Sequence, residues 1–178
     1  MPQPAEPLTQ YAITVLGHDR PGIIAQTAEI LADAGMNLTD SSMTLLRGHF
    51  AMTLICTGEA TAGQLTAALA AALDASLTVR VLELPDNGAA TERGQSVLVT
   101  VHGADRLGIV AKIADVIAQA GGNITDLTTR LAGGLYVLAA EVDLPAGVSD
   151  TDLATRVREA GHSVGVEASV RPLDRDDL

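Results

Sequence analysis

The chain has 178 residues, a formal net charge of −11 and 2% aromatic residues. Its 11 Lys and Arg are scattered, so no basic stripe for phosphates and no aromatic platform for bases is expected, and direct binding to nucleic acid is excluded. Cys56 is the only cysteine, which rules out an internal disulfide and a thiolate metal cluster.

Residues 1–9 are Pro-rich and expected to be flexible, with neither the basic start nor the apolar stretch of a signal peptide. Tyr11–Leu16 alternates around Ile13 and Val15 and predicts a strand. Gly17-His18-Asp19-Arg20-Pro21-Gly22 is a turn into a helix. Its apolar stripe is Ile23, Ile24, Thr27, Ala28, Ile30, Leu31 and Ala34, and Gly35 caps its end. Leu38–Leu46 and His49–Thr57 are β-rich runs joined by Arg47-Gly48, a hairpin signal. Thr61 opens a second helix carrying Leu65, Ala68, Leu69, Ala72 and Leu73, and Thr78–Leu84 closes the unit as a strand.

Residues 86–95 are polar, full of breakers and expected to be a linker. A second unit follows with the same order. Strand Val97–Val101 leads to helix Leu107–Ala120, whose stripe is Ile109, Val110, Ile113, Val116 and Ile117. Strands Thr125–Leu131 and Leu135–Asp143 pair through Ala132-Gly133-Gly134. A helix over Ser149–Ala160 and a strand over Ser163–Arg171 complete it, ahead of an acidic tail at 174–178.

The two units are copies. Shifted by 86 positions, Ala12–Phe50 lies over Leu98–Tyr136 without a gap, and 17 of the 39 pairs are identical. A period this long suits two small domains rather than a solenoid. Domain boundaries of 10–85 and 96–173 follow. The order βαββαβ predicts an α+β, ferredoxin-like fold with an antiparallel sheet and both helices on one face. The strands are apolar on both faces: Phe50, Met52 and Leu54 oppose Ala51 and Ile55, and Tyr136 and Leu138 oppose Val137 and Ala139. A second protein surface over the uncovered face, and a homodimer, are therefore expected.

Two loops recur. Asp19-Arg20-Pro21-Gly22 returns as Asp105-Arg106-Leu107-Gly108, and Gly35-Met36-Asn37-Leu38-Thr39-Asp40 as Gly121-Gly122-Asn123-Ile124-Thr125-Asp126. In the first loop a helix begins within four residues of the Asp, and its free N–H groups and positive dipole end suit an anion. Gly22 and Gly108 keep bulk away from that main chain. Asn37 and Asn123 can both donate and accept. Together these groups suit a free amino acid, with Asp19 or Asp105 on the ammonium and the backbone on the carboxylate. The competing reading makes the aspartates helix caps and the asparagines turn formers, and duplication alone does not separate the two.

Asp-Arg-Pro-Gly-Ile-Ile after the first strand and Gly-Met-Asn-Leu after the first helix resemble the ACT domain family. The resemblance covers nearly the whole chain, as two consecutive domains with no catalytic domain attached. It implies βαββαβ regulatory modules that bind a small amino acid of the glycine or serine class where domains meet, and that act on a regulator or enzyme partner. The implied ligand-binding residues are Gly17, His18, Asp19, Arg20, Pro21, Gly22, Ile23, Asn37 and Leu38 in the first repeat. In the second they are Gly103, Asp105, Arg106, Leu107, Gly108, Ile109, Asn123 and Ile124. Serine-sensing members often carry a His where Gly17 and Gly103 stand, so carboxylate recognition falls to the backbone or to His18. Leu107 replaces Pro21 and Ala104 replaces His18 in the second loop, so the two sites are expected to be unequal.

No enzymatic site is expected. His18, His49, His102 and His162 lack metal-ligand spacing, Ser41-Ser42 lacks a nucleophile elbow, and Gly17–Gly22 matches no nucleotide fingerprint. No cofactor and no metal are expected, no run of apolar residues is long enough to span a membrane, and the chain is expected to be cytoplasmic. A ligand-independent interaction scaffold is the alternative function.

Overall fold

A computed structural model describes residues 8–85 and 94–173. The N-terminal segment, most of the expected linker and the acidic tail lie outside the described residues. The chain divides into two compact units, Met1–Gly88 and Ala89–Leu178. The first contains β1 (Thr9–His18), α1 (Ile23–Asp33), β2 (Asn37–Leu46), β3 (His49–Gly58), α2 (Ala62–Ala72) and β4 (Thr78–Leu84). The second contains β5 (Ser96–Ala104), α3 (Ile109–Gln119), β6 (Asn123–Ala132), β7 (Leu135–Asp143), α4 (Asp150–Ser163) and β8 (Val166–Pro172).

Each unit is one antiparallel four-stranded sheet, ordered β2-β3-β1-β4 and β6-β7-β5-β8. The ferredoxin-like βαββαβ fold expected from the sequence is therefore present twice. Alternation puts Tyr11, Ile13 and Val15 of β1 and Phe50, Met52, Leu54 and Cys56 of β3 into one core with Ile23, Leu31, Leu65 and Leu69 from the helices. The second core repeats this with Val97, Val99, Val101, Leu138, Ala140, Val142, Ile109, Ile113, Leu153 and Val157. Burial pushes the Cys56 thiol above its ordinary pKa, as an apolar core does to any acid.

The helical stripe of α1 is narrower than its apolar pattern. Only Ile23, Thr27 and Leu31 are buried, at i, i+4 and i+8, and Thr27 satisfies its hydroxyl on the Ile23 carbonyl at 2.8 Å. Ile24 and Val110, expected in the stripes, are 50% and 37% exposed. Both hairpins use two-residue turns with left-handed residues, Arg47 and Gly48 in the first and Gly133 and Gly134 in the second. Ala132 thus belongs to β6 rather than to the turn. The last helix runs three residues beyond the expected end. Gly161 lets it pass close to Ala168 and Val166, and Gly165 at φ 73° turns the chain into β8.

Strand β2 is an edge and nearly all of it is exposed. A β-bulge interrupts it between Leu38 and Asp40, and the same bulge interrupts β6 between Ile124 and Asp126. The extra residue is Thr39 or Thr125, whose hydroxyl donates to the carbonyl of Ile55 at 3.2 Å or of Glu141 at 3.4 Å. In an unbroken strand Leu38 and Asp40 would share a face. The bulge instead opposes Leu38 to buried Cys56 and Asp40 to half-buried Ile55.

Candidate functional site

The recurrent loop after the first strand of each unit is built alike in both. Gly22 and Gly108 are left-handed, at φ 91° and 89°, immediately before α1 and α3. A Cβ at either would meet nothing within 4 Å, so the main chain there faces open space. Neither helix has a side-chain cap, and neither carries an acidic residue in its first turn. The other two helices differ. Thr61 and Gln64 form a reciprocal capping box on α2, and Ser149 caps α4 through the Asp152 N–H at 3.3 Å. The first-turn N–H groups of α1 and α3 are thus left for an outside acceptor.

Asp19 and Asp105 do not cap these helices. Both side chains are exposed, with no hydrogen bond or ion pair among the described residues, and the Asp19 main chain is anchored by its N–H to the Gly48 carbonyl at 3.0 Å. Ile23 and Ile109 are core residues, 1% and 2% exposed, and can offer a ligand only their main chain. Gly17 and Gly103 serve close packing. A Cβ on Gly17 would meet the Ser76 carbonyl oxygen at 2.8 Å and Leu77 at 2.7 Å, and one on Gly103 would meet Val166 at 2.9 Å. That packing leaves no room for a larger side chain at either position.

The remaining loop residues differ between repeats. His18 faces His49 across the β1–β3 ladder with ring centroids 4.8 Å apart, a partner that sequence spacing alone did not reveal. In the second repeat those two positions hold Ala104 and Leu135. Arg20 donates to Gln26 at 3.1 Å, and Gln26 donates on to the Ala72 carbonyl at 2.8 Å, tying the loop to α2. Among the described residues Arg106 has no such partner, and it lies against Gly165. Pro21 is exposed, and its counterpart Leu107 is fully exposed.

Asn37 and Asn123 lie elsewhere in their units. Asn37 pairs with Thr57 at one end of β3, whereas His18 pairs with His49 at the other. The 11 residues of α1 also separate the two loops, about 16 Å at 1.5 Å per residue. Within one unit no small ligand reaches both. Leu38 borders a groove of about 140 Å³ between α1 and β2, shared with Ile24, Ala28, Met43, Met52 and Leu54. Ile124 is its half-buried counterpart. Among the described residues no three His, Cys, Asp or Glu side chains come together as a metal-binding group. No described helix is long and apolar enough to cross a membrane.

The chain is thus two copies of one small α+β module, each with an uncapped helix start at an open glycine. The ACT domain model matches residues 9–81 and 95–171, and the chain belongs to the ACT domain family. It is 40% identical over 78 residues to the UPF0237 protein of Methanopyrus kandleri, a match covering 43% of this chain and 87% of that one. An unknown protein from Galdieria sulphuraria shares the fold at TM-score 0.80 and 24% identity, over 94% of this chain and 100% of that chain. A structure described as a candidate glycine cleavage system transcriptional repressor superposes at TM-score 0.67 with 19% identity, over 94% of this chain and 99% of that chain.

Proposed function

We propose that this chain is a non-catalytic regulator that binds a small amino acid of the glycine or serine class where ACT domains meet, and passes that occupancy to a partner protein. The observation that carries it is the contrast in helix starts: α2 and α4 are capped by their own side chains, while α1 and α3 are uncapped beside open glycines. A carboxylate supplies the missing acceptors, and the unpaired Asp19 or Asp105 takes the ammonium. Asn37 contributes from a second copy. Antiparallel pairing of two β2 edges sets the Asn37 end of one strand against the hairpin end of the other, where Asp19 hangs on Gly48.

A glycine has about five heavy atoms, and a ceiling of about 1.5 kcal/mol per atom limits its dissociation constant to the micromolar range at best. Sensing of micromolar to millimolar pools follows. The coupling to a partner comes from the ligand's differential affinity for two arrangements of the domains. Any effect on transcription of amino-acid metabolism is indirect, exerted through a protein. The fully exposed Leu107, beside the loop, is an apolar handle for that protein.

Thermal denaturation of the full chain against each proteinogenic amino acid tests the reading. Glycine or serine is expected to raise Tm, and the rise is expected to vanish in Asp19→Ala and Asn37→Ala. If no amino acid raises Tm at millimolar concentration, the scaffold reading, in which the loops bind nothing, replaces this one.

A further inference from the structure

The duplication supplies an internal control: what the fold requires appears in both units, and what appears in one was not required by the fold. The imidazoles of His18 and His49 appear in one. They face each other at the end of the β1–β3 ladder, with ring centroids 4.8 Å apart and planes tilted by 32°. The matching positions in the second unit, opposite each other on β5 and β7, hold Ala104 and Leu135. The hairpin end is therefore built without the two rings.

The backbone holds this pair in place. The Asp19 N–H donates to the Gly48 carbonyl at 3.0 Å, which makes Asp19 and Gly48 a hydrogen-bonded pair of the ladder. His18 and His49 therefore occupy the adjoining non-hydrogen-bonded pair, where facing side chains stand closest. Both residues are exposed. Among the described residues neither ring has a hydrogen bond or an ion pair, whereas His102 is engaged by Glu167 at 3.1 Å. Each neutral ring thus keeps a nitrogen lone pair for an outside partner.

Two neutral imidazoles held this close can chelate. A metal about 2.1 Å from one nitrogen of each ring lies about 3.2 Å from each ring centre. At coordination angles of about 90–110° the ring centres are then about 4.5–5.2 Å apart, and the observed 4.8 Å falls inside that span. We propose that His18 and His49 form a binding site for a late first-row divalent cation of the zinc and nickel class. Imidazole suits these ions, while the harder magnesium and calcium take oxygen ligands. Rotation of the two exposed side chains aims a nitrogen of each at the ion, and neither strand has to move. Water completes the coordination, because no three His, Cys, Asp or Glu side chains form a metal-binding group among the described residues. The net charge of −11 draws cations to the chain. The amino-acid reading above rests on the N–H groups of α1 and on Asp19, so the two proposals stand or fall separately.

Amide NMR titration of the full chain with zinc chloride, in a buffer free of amino acids, tests this. Zinc is expected to shift the resonances of residues 16–20 and 47–51, and magnesium chloride at the same concentration to leave them in place. His18→Ala and His49→Leu take the second unit's own residues, so each is expected to keep a dispersed spectrum and a native unfolding midpoint. Each is also expected to weaken zinc binding at least tenfold, because a single imidazole loses the chelate. His102→Leu and Asn37→Ala, the latter disabling the seam, are expected to leave zinc affinity unchanged. Shifts reproduced by magnesium, shifts centred on residues 102 and 167, zinc affinity that survives either His18→Ala or His49→Leu, or no shifts at millimolar zinc would each overturn the proposal.

Discussion

Gly17 and Gly22 lie in the same loop and are glycine for different reasons, which makes them separable by experiment. Gly22 needs its left-handed backbone, at φ 91°, but has empty space where a side chain would go. Gly22→Ala is expected to cost about 1–2 kcal/mol of conformational strain, with no clash. Gly17 has no unusual φ, yet a Cβ there would press on the Ser76 carbonyl oxygen at 2.8 Å, which is backbone and cannot rotate away. Gly17→Ala is expected to be the more damaging, by roughly 2 kcal/mol or more, through forced movement of the α2–β4 connection. Urea denaturation of the two variants gives the comparison, and equal destabilisation would mean that the packing at Gly17 relaxes. Sequence pattern identified both residues as loop glycines. It could not separate a conformational need from a steric one, because the obstructing atom belongs to a segment about sixty residues away.

At the scale of elements, the four helices fall into two classes by their beginnings. Thr61 caps α2, its hydroxyl accepting from the Gln64 N–H at 3.3 Å while Gln64 accepts from the Thr61 N–H at 2.8 Å. Thr61→Ala is expected to lower stability by about 1 kcal/mol, read as a fall in the denaturation midpoint without a change in slope. An Ala at Asp19 or Asp105 is expected to cost almost nothing by the same measure, since neither caps its helix. A loss near that of Thr61→Ala would restore the capping role and remove the case for a ligand. Most elements were legible in the chain itself. Alternation marked β1 and β3, the 3.6 period marked α1 and α3, and Arg47-Gly48 marked the first hairpin. The bulges in β2 and β6 were not, because Thr39 and Thr125 are ordinary strand residues whose extra position shows only in the pairing with β3 and β7. The contact of His102 Nε2 on β5 with a Glu167 carboxylate oxygen on β8, at 3.1 Å, was hidden for the same reason, since register between residues 65 positions apart leaves no mark in either strand.

At the scale of the whole molecule, the question is how a chain tolerates a bare edge. Strand β2 is ten residues long, lacks Pro, Lys and Arg, and exposes Leu38, Met43, Leu45 and Leu46 at 43–50%. Natural edges are normally blunted by such residues or by being short. Here only the bulge and Asp40 do so, both near one end, and the stretch from Ser41 to Leu46 keeps an unbroken register with β3. The proposed function gives that stretch a partner: a second copy that pairs antiparallel with it and so assembles the proposed amino-acid site. The 18.3 kDa chain is therefore expected to run as a dimer by light scattering at micromolar concentration. Thr44→Pro removes a donor from the strand's middle and is expected to give monomer. Met43→Lys adds an edge charge at little cost to the core, because Met43 is already 46% exposed, and is expected to give the same result with a native unfolding midpoint. Both variants are also expected to lose the thermal response to glycine or serine. A wild-type chain that stays monomeric yet responds to glycine would separate sensing from assembly and place the whole amino-acid site within a single copy.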